Sequence, residues 1–304
     1  MLTHEEWLKE RQRAIGGSDA AAIVGLSQWA TPYTVWADKT GRLPQKEDNE
    51  AMRQGRDLEQ YVAERWMEET GKKCRRRTKM LRNQDYPFAH ANVDRWVVGE
   101  NAGLECKTTS IMNLKKFKNG EYPETYYCQC VHYMAVTGAD RWYLAVLILN
   151  QGFHVFVIER DDAEIAALME SEKQFWQFVE TDSPPPVDGM KPTSEIINTM
   201  YLASYENAQP VDLFGQEGII RTYFETKSAI KALEQQRERY EQILKENLGE
   251  NENGVVGTYR VKWKPQQRST FQTKQFVKEH PGMDLSQYYK TTKFRKFEIK
   301  QEEK

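Results

Sequence analysis

Two acidic side chains inside otherwise apolar segments restrict the fold of this 304-residue chain more than any other feature. Asp94 lies in the segment FAHANVDRWVV, and Glu105 lies in the segment GLECKT. The alternation of apolar and polar residues and the content of β-branched residues predict strands over residues 89–98 and 103–108, joined by a glycine-containing turn. Charges are costly in a core-forming sheet unless they serve a site. We therefore expect a sheet that carries Asp94 beside Glu105.

The sequence patterns in the rest of the chain predict further strands and helices around this sheet. Further strands are expected over residues 74–81, 141–149 and 153–159, and helices over residues 32–40, 50–69, 123–137 and 161–181. Near the start, a short helix and a glycine-rich bend precede a second helix that begins on Ser18 or Asp19, since either is a good N-cap. This order predicts an α/β fold, with a mixed β-sheet flanked by helices.

A proline run divides the chain. The prolines of residues 184–186 cannot continue a helix or a strand ladder, so we predict a catalytic domain over residues 1–182 and a linker over residues 183–214. The accessory region, residues 215–304, combines a long helix with a small, basic, β-rich tail. Apolar residues at spacings of three, four and seven over residues 218–248 indicate a helix that pairs with something. It either packs on its own tail or serves as a module for oligomerisation or for loading a substrate.

A formal net charge of -2 at first argues against a nucleic-acid partner, because proteins that bind polyanions usually carry a basic surface. The net charge is an average over the chain, however, and individual segments are strongly basic. Residues 72–82, KKCRRRTKMLR, contain seven basic and no acidic residues. Residues 254–300 contain 11 Lys and Arg against 3 Asp and Glu, interleaved with aromatic residues. Basic patches of this kind can follow a phosphate backbone, although each is also compatible with an ordinary solvated face.

Other sequence features predict a cytoplasmic protein. No apolar run approaches the roughly 18 residues of a membrane span, and the first residues lack the apolar stretch of a signal peptide. The four cysteines are scattered, so we expect thiols rather than a disulfide framework. The spacing of Cys128 and Cys130 also invites an iron–sulfur or zinc interpretation, but two thiols at this spacing on a helix point apart.

The acidic pair and a nearby lysine suit phosphodiester cleavage. Because side chains alternate along a strand, Glu105 and Lys107 project from one face and Cys106 from the other. Two adjacent carboxylates repel each other unless a cation lies between them, and Mg²⁺ accepts such oxygen ligands. A metal ion activates water and neutralises charge on the transition state, which an ammonium also balances. Glu59 and the backbone carbonyl of Cys106 are further candidate ligands.

Five motifs occur in an order typical of one family. They are the segment RAIGGSDAAAIVGLS, the helix with Gly55 and Glu59, Asp94, the run Glu105-Cys106-Lys107, and the helix with Gln129 and Tyr133. Over residues 7–159 they resemble the YqaJ-type viral recombinases and lambda-exonuclease-like enzymes of the PD-(D/E)XK nuclease type. The resemblance implies a restriction-endonuclease-like core and a metal-dependent deoxyribonuclease. It also implies 5′-to-3′ exonuclease action on linear double-stranded DNA in phage-type homologous recombination.

The same resemblance implies roles for individual residues and partners. Glu59, Asp94 and Glu105 would bind Mg²⁺, for which Mn²⁺ substitutes, and Lys107 would assist the attacking water. Gln129 would support the site from the side, with Tyr133 packing beneath. Arg11 and Ser18 would bind the DNA 5′-phosphate, with Arg13 as the alternative arginine, and an arginine beside a helix start suits a phosphate. A RecT-like single-strand annealing protein is the implied partner, and a homo-oligomer is expected.

Two other functions remain compatible with the sequence. The same site would serve an endonuclease or a structure-specific nuclease, and a catalytically inactive fold would leave a DNA-binding or assembly protein. The intact Asp94, Glu105 and Lys107 argue against the inactive form. His132 is either a catalytic base or, as its position on a helix beside Gln129 favours, a packed or DNA-facing residue.

Overall fold

The computed structural model describes residues 4–44, 48–203 and 209–301 and divides into two compact units. The first unit comprises Met1–Ala203 and Phe294–Lys304, and the second comprises Ser204–Lys293. The Arg295 guanidinium donates a hydrogen bond of 2.9 Å to the Tyr201 carbonyl, within the first unit. The end of the predicted accessory region therefore belongs with the first unit.

The first unit contains helices and strands in alternation. Its helices are α1 (His4–Gln12), α2 (Gly17–Ile23), α3 (Pro32–Lys39), α4 (Glu50–Thr70), α5 (Glu124–Thr137), α6 (Asp162–Glu180) and α7 (Lys191–Met200). Its strands are β1 (Ile15–Gly16), β2 (Cys74–Arg76), β3 (Leu81–Arg82), β4 (Ala89–Ala91), β5 (Arg95–Val97), β6 (Ala102–Thr109), β7 (Arg141–Ile148) and β8 (Gly152–Glu159). A 3₁₀ segment, Ile111–Gly120, follows β6.

The central sheet has five strands in the order β2-β5-β6-β7-β8. Strands β6 and β7 are parallel and the other neighbours are antiparallel, so the predicted mixed sheet is confirmed. On one face α4 packs Val62 and Trp66 against Leu104. On the other face Met134 of α5 joins a larger core that includes Leu144. Both faces are covered, as the near-continuous apolar sequence of β7 requires.

Two predicted strands are broken, and one break falls at a key residue. The segment predicted as a strand over residues 74–81 forms β2, and β3 begins at its end in another sheet. The segment over residues 89–98 forms β4, which pairs with β1 and β3, and β5, which pairs with β2 and β6. The chain changes sheets between Ala91 and Arg95. Asp94 therefore lies in a bend immediately before β5 rather than inside a strand.

The start of α2 differs from its prediction. Gly16, not Ser18 or Asp19, is the N-cap, and the Asp19 carboxylate accepts a hydrogen bond of 3.0 Å from the Gly16 amide. An acidic side chain at the third helical position can bond back to the N-cap amide, as in a capping box. The helix consequently begins one residue before Ser18.

Part of the predicted linker over residues 183–214 is helical. Helix α7 opens with Pro192 in its first turn, a position where the missing amide proton of proline breaks no helical hydrogen bond. The Thr193 hydroxyl is buried and lies 2.7 Å from the Thr31 hydroxyl at the start of α3. This contact fixes α7 on the first unit, whereas residues 183–190 form neither helix nor strand.

The second unit is built around one long helix. Helix α8 (Glu217–Leu248) is followed by an antiparallel hairpin of β9 (Asn253–Val256) and β10 (Tyr259–Lys262), by α9 (Thr273–Glu279) and by a 3₁₀ turn at Ser286–Tyr288. The tail is thus less β-rich than expected. Throughout the described ranges, no helix combines the length and apolar composition that crossing a bilayer requires.

Candidate functional site

Asp94 and Glu105 lie side by side, Asp94 just before β5 and Glu105 in the middle of β6. The register pairs Arg95 with Leu104, so the preceding residue, Asp94, stands opposite Glu105. The Asp94 carboxylate accepts a hydrogen bond of 2.8 Å from the Cys106 amide. The main chain of β6 therefore holds one carboxylate of the pair, and the predicted juxtaposition is present.

Lys107 and Gln129 complete a hydrogen-bonded network around Glu105. The Lys107 ammonium lies 2.6 Å from Glu105 Oε1 and donates a 2.9 Å hydrogen bond to Gln129 Oε1. The Gln129 amide donates to Glu105 Oε1 at 2.8 Å and lies 2.9 Å from the Tyr133 hydroxyl. The alternation of β6 puts Glu105 and Lys107 on the face that meets α5. Four predicted residues are thus brought together.

The electrostatics of the acidic pair are those of a site that attracts a cation. Burial and the neighbouring charge of Glu105 raise the pKa of Asp94 well above its ordinary value. Burial lowers the pKa of Lys107, but the Glu105 carboxylate outweighs this effect and raises it. Glu105 Oε2 is buried and accepts no hydrogen bond from the described residues. A buried carboxylate oxygen without a donor, beside a second carboxylate, fits a hard divalent cation.

Cys106 contributes to the site through its main chain. Its side chain packs with the smaller core beneath α4, on the opposite face from Glu105. Burial, followed by the charge of Asp94, raises the pKa of the Cys106 thiol well above its ordinary value. The thiol is therefore protonated, and only the carbonyl oxygen of Cys106 remains a candidate ligand.

Glu59 does not join the acidic pair. It forms an ion pair with the buried Arg95, whose guanidinium also donates to the Asp94 carbonyl at 2.7 Å and to Gln60 at 2.9 Å. Arg95 is the sheet neighbour of Leu104 and, like Leu104, projects towards α4. Its guanidinium therefore binds Glu59 on that face of the sheet. Among the described residues, no three His, Cys, Asp or Glu side chains form a metal-binding group. A metal-ligand role for Glu59 remains a prediction.

The predicted phosphate-binding residues lie together and next to the acidic site. The Arg11 guanidinium donates a hydrogen bond of 3.0 Å to the exposed Ser18 hydroxyl. Between them and the site stands Gly17, where an added Cβ would lie 2.7 Å from the Tyr133 ring and 3.0 Å from Gln129. The absence of a side chain at Gly17 thus brings the start of α2 against the two α5 residues that support Glu105.

Several buried charges were missed from the sequence. Lys39 forms an ion pair of 2.6 Å with Asp19 and donates to the Arg11 carbonyl at 2.9 Å. Burial opposes the charge of Asp19, but Lys39 and Arg11 lower its pKa below the ordinary value. Only Asp19, inside the Gly-Gly-Ser-Asp run, offered a signal, because Lys39 and Arg95 look like surface residues in sequence. The Lys39 contact anchors the segment that carries Arg11.

His132 is a packed residue. It is fully buried, its Nδ1 lies 2.8 Å from Glu172 on α6, and its Nε2 donates to the His90 carbonyl at 2.9 Å. The favoured packed interpretation is therefore confirmed. Cys128 and Cys130 are buried thiols on α5, and burial raises the pKa of both.

Two comparisons with known proteins relate the chain to one family. Residues 6–140 match the YqaJ-like viral recombinase domain. The uncharacterized protein YqaJ of Bacillus subtilis (strain 168) is 39% identical over 305 residues, which cover 99% of this chain and 95% of that protein.

Two solved structures are similar to part of this chain. LHK-Exo in complex with dAMP is 22% identical with a TM-score of 0.50, and the match covers 59% of this chain and 93% of that chain. The alkaline exonuclease LHK-Exo from Laribacter hongkongensis is 21% identical with a TM-score of 0.49, with the same coverage of 59% and 93%. The expected restriction-endonuclease-like core is confirmed. On its match to the domain and to its Bacillus relative, the chain belongs to the family of YqaJ-like viral recombinases.

Proposed function

We propose that the first unit is a metal-dependent deoxyribonuclease that uses Mg²⁺, or Mn²⁺ in its place. The observation that carries this proposal is the paired carboxylates of Asp94 and Glu105, with one buried Glu105 oxygen lacking a donor among the described residues. Asp94, Glu105 and the carbonyl of Cys106 would hold the ion. When bound, it would supply positive charge to the scissile phosphate and activate water.

Lys107 acts in this proposal as a fixed positive charge. Its ammonium lies 2.6 Å from Glu105 Oε1 and donates to Gln129 Oε1, so in this proposal it acts as a hydrogen-bond donor. Gln129 holds both Lys107 and Glu105, which limits the conformations of the ammonium and keeps it beside the carboxylates. Such preorganised charge stabilises the negative charge that develops on a phosphate during hydrolysis.

The proposed substrate is linear double-stranded DNA, digested from the 5′ end. Support comes from the Arg11–Ser18 hydrogen bond near the acidic site and from the family's description as a recombinase. LHK-Exo, which is similar in fold and was solved in complex with dAMP, also favours a nucleotide-binding site. The product would be a 3′ single strand, the substrate of a RecT-like annealing protein, and the active form would be a homo-oligomer.

A time course on end-labelled duplex DNA tests this function. With Mg²⁺, the chain should degrade linear duplex and leave covalently closed circles intact, and EDTA should stop the reaction. Cutting of closed circles would instead establish an endonuclease. Retention of DNA without cleavage, with either metal ion, would establish a binding protein.

Arg11 should set the preference for phosphorylated ends. We expect Arg11→Ala to lose most of the difference in rate between 5′-phosphorylated and 5′-hydroxyl duplex, about tenfold or more, since a charge-assisted hydrogen bond contributes roughly 1.5–3 kcal/mol. Arg13→Ala is the matched control, because exposed Arg13 pairs with Glu10 and not with Ser18. If Arg13→Ala alone removed the preference, the phosphate would bind there instead.

A further inference from the structure

The second unit exposes an apolar surface that its own described residues do not cover. Leu248 is its one buried residue among residues 209–293. Along α8, Ile219 is 67% exposed and Leu233 is 63% exposed, with Ile230 and Leu244 also exposed. A unit of this size needs a buried core to fold, and contiguous exposed apolar residues mark an interaction site. Something outside this unit must therefore cover α8.

Nine positions of α8, six of them apolar, follow a heptad pattern that defines one seam along the helix. Alternating spacings of four and three residues connect Ile219, Tyr223, Thr226, Ile230, Leu233, Arg237, Tyr240, Leu244 and Asn247. A repeat of 3.5 residues keeps one seam facing a partner helix over the whole length of a two-stranded coiled coil. The helix is about 48 Å long, from 32 residues at 1.5 Å each, and so presents four heptads.

We propose that α8 forms an antiparallel coiled coil with α8 of a second copy of this chain. In the antiparallel orientation, large apolar residues of the seam face large apolar residues of the second copy. When Ile230 packs against Leu233 of the second copy, the same register places Leu244 against Ile219 and Tyr223 against Tyr240. Each contact then occurs twice around one twofold axis, as in a closed symmetric dimer.

Arg237 distinguishes antiparallel from parallel pairing. In a parallel pair in register, Arg237 would face Arg237 of the second copy inside the seam, and two like charges at that distance repel. In the antiparallel register, Arg237 faces Thr226, whose hydroxyl is small and polar. The charged residue thus disfavours the parallel pair and is accommodated in the antiparallel one.

Charges beside the seam support the same register. Lys227 and Glu234 occupy equivalent flanking positions one heptad apart. The antiparallel pair brings Lys227 of each copy next to Glu234 of the other, which gives two attractive contacts. In a parallel pair the same residues stay displaced by about 10 Å along the axis, one heptad at 1.5 Å per residue. Because these two charges lie on the same helix and complement each other, they favour a second copy of this chain over an unrelated partner.

Charge reversal tests the proposal on the full chain by analytical ultracentrifugation. We expect Lys227→Glu and Glu234→Lys each to raise the dissociation constant about tenfold, because two attractive contacts become repulsive. The double variant should return to within about threefold of wild type. Gln235→Glu, on the outer face of α8, is the control and should have no effect. A monomeric wild-type chain, or a double variant no stronger than the singles, would overturn the proposal.

Cysteine pairs test the orientation independently. Chains carrying Ile230→Cys and Leu233→Cys are mixed and oxidised, with wild type under the same oxidant as the control. Antiparallel pairing predicts a disulfide between the two different variants. Links joining two copies of Ile230→Cys, or no link between the different variants, would contradict it.

Discussion

Glu105→Gln is expected to lower the rate of DNA digestion by about a hundred- to a thousandfold, the effect of removing one preorganised electrostatic partner from a transition state. Glutamine keeps the size of the side chain and its hydrogen-bonding capacity but removes the charge. That charge pairs with Lys107 and, in the proposed function, with the divalent ion. The measurement is the single-turnover rate on linear duplex DNA with Mg²⁺, with DNA retention on a filter measured in parallel.

Lys107→Ala should cause a loss of similar size while DNA retention is largely kept. Glu121→Gln is the matched control, because Glu121 is exposed and outside the network. Unchanged digestion by both Glu105→Gln and Lys107→Ala would remove the proposed active site. A parallel loss of DNA retention would indicate that these residues hold DNA and would not separate binding from cleavage.

Glu172→Ala is expected to lower the free energy of unfolding by about 1–3 kcal/mol, the cost of leaving a buried hydrogen-bonding group without its partner. Glu172 and His132 are both completely buried, and the carboxylate lies 2.8 Å from Nδ1. Because Nε2 donates to the His90 carbonyl, Nδ1 would face an empty space after the substitution. Chemical denaturation followed by circular dichroism measures the change.

Two variants bracket this effect. Glu172→Gln should cost markedly less than Glu172→Ala, because the amide oxygen or nitrogen can still bond to Nδ1. Glu170→Ala, at an exposed position on the same helix, should change stability by no more than about 0.5 kcal/mol. Equal losses of stability in all three variants would mean that any substitution in α6 is destabilising. The contact between Glu172 and His132 would then make no specific contribution to stability.

The paired carboxylates were predictable because they depend on local rules. Strand alternation places Glu105 and Lys107 on one face, and a short turn between neighbouring strands aligns Asp94 with Glu105. The helix boundaries at Pro32 and Gly71 follow from proline and glycine in the same local way.

What the sequence could not predict depends on packing between distant segments. Arg95 binds Glu59 across 36 positions of chain, and this ion pair, not helix periodicity, decides where Glu59 points. Likewise, the bend at Asp94 arises because β4 and β5 belong to different sheets. The sequence of residues 89–98 alone does not indicate this change of sheet. Lys39 and Asp19 are buried only because α2 and α3 pack together.

The hydrogen bond between Arg295 and Tyr201 has a practical meaning for protein engineering. It holds the exit and the return of the chain close together, so the second unit is topologically an insertion within the first. A stop codon after Ala203 would therefore also delete residues that belong to the first unit. A clean excision instead joins residue 203 to residue 294 through a short glycine-rich connector, and the closeness of these ends makes such a graft geometrically simple.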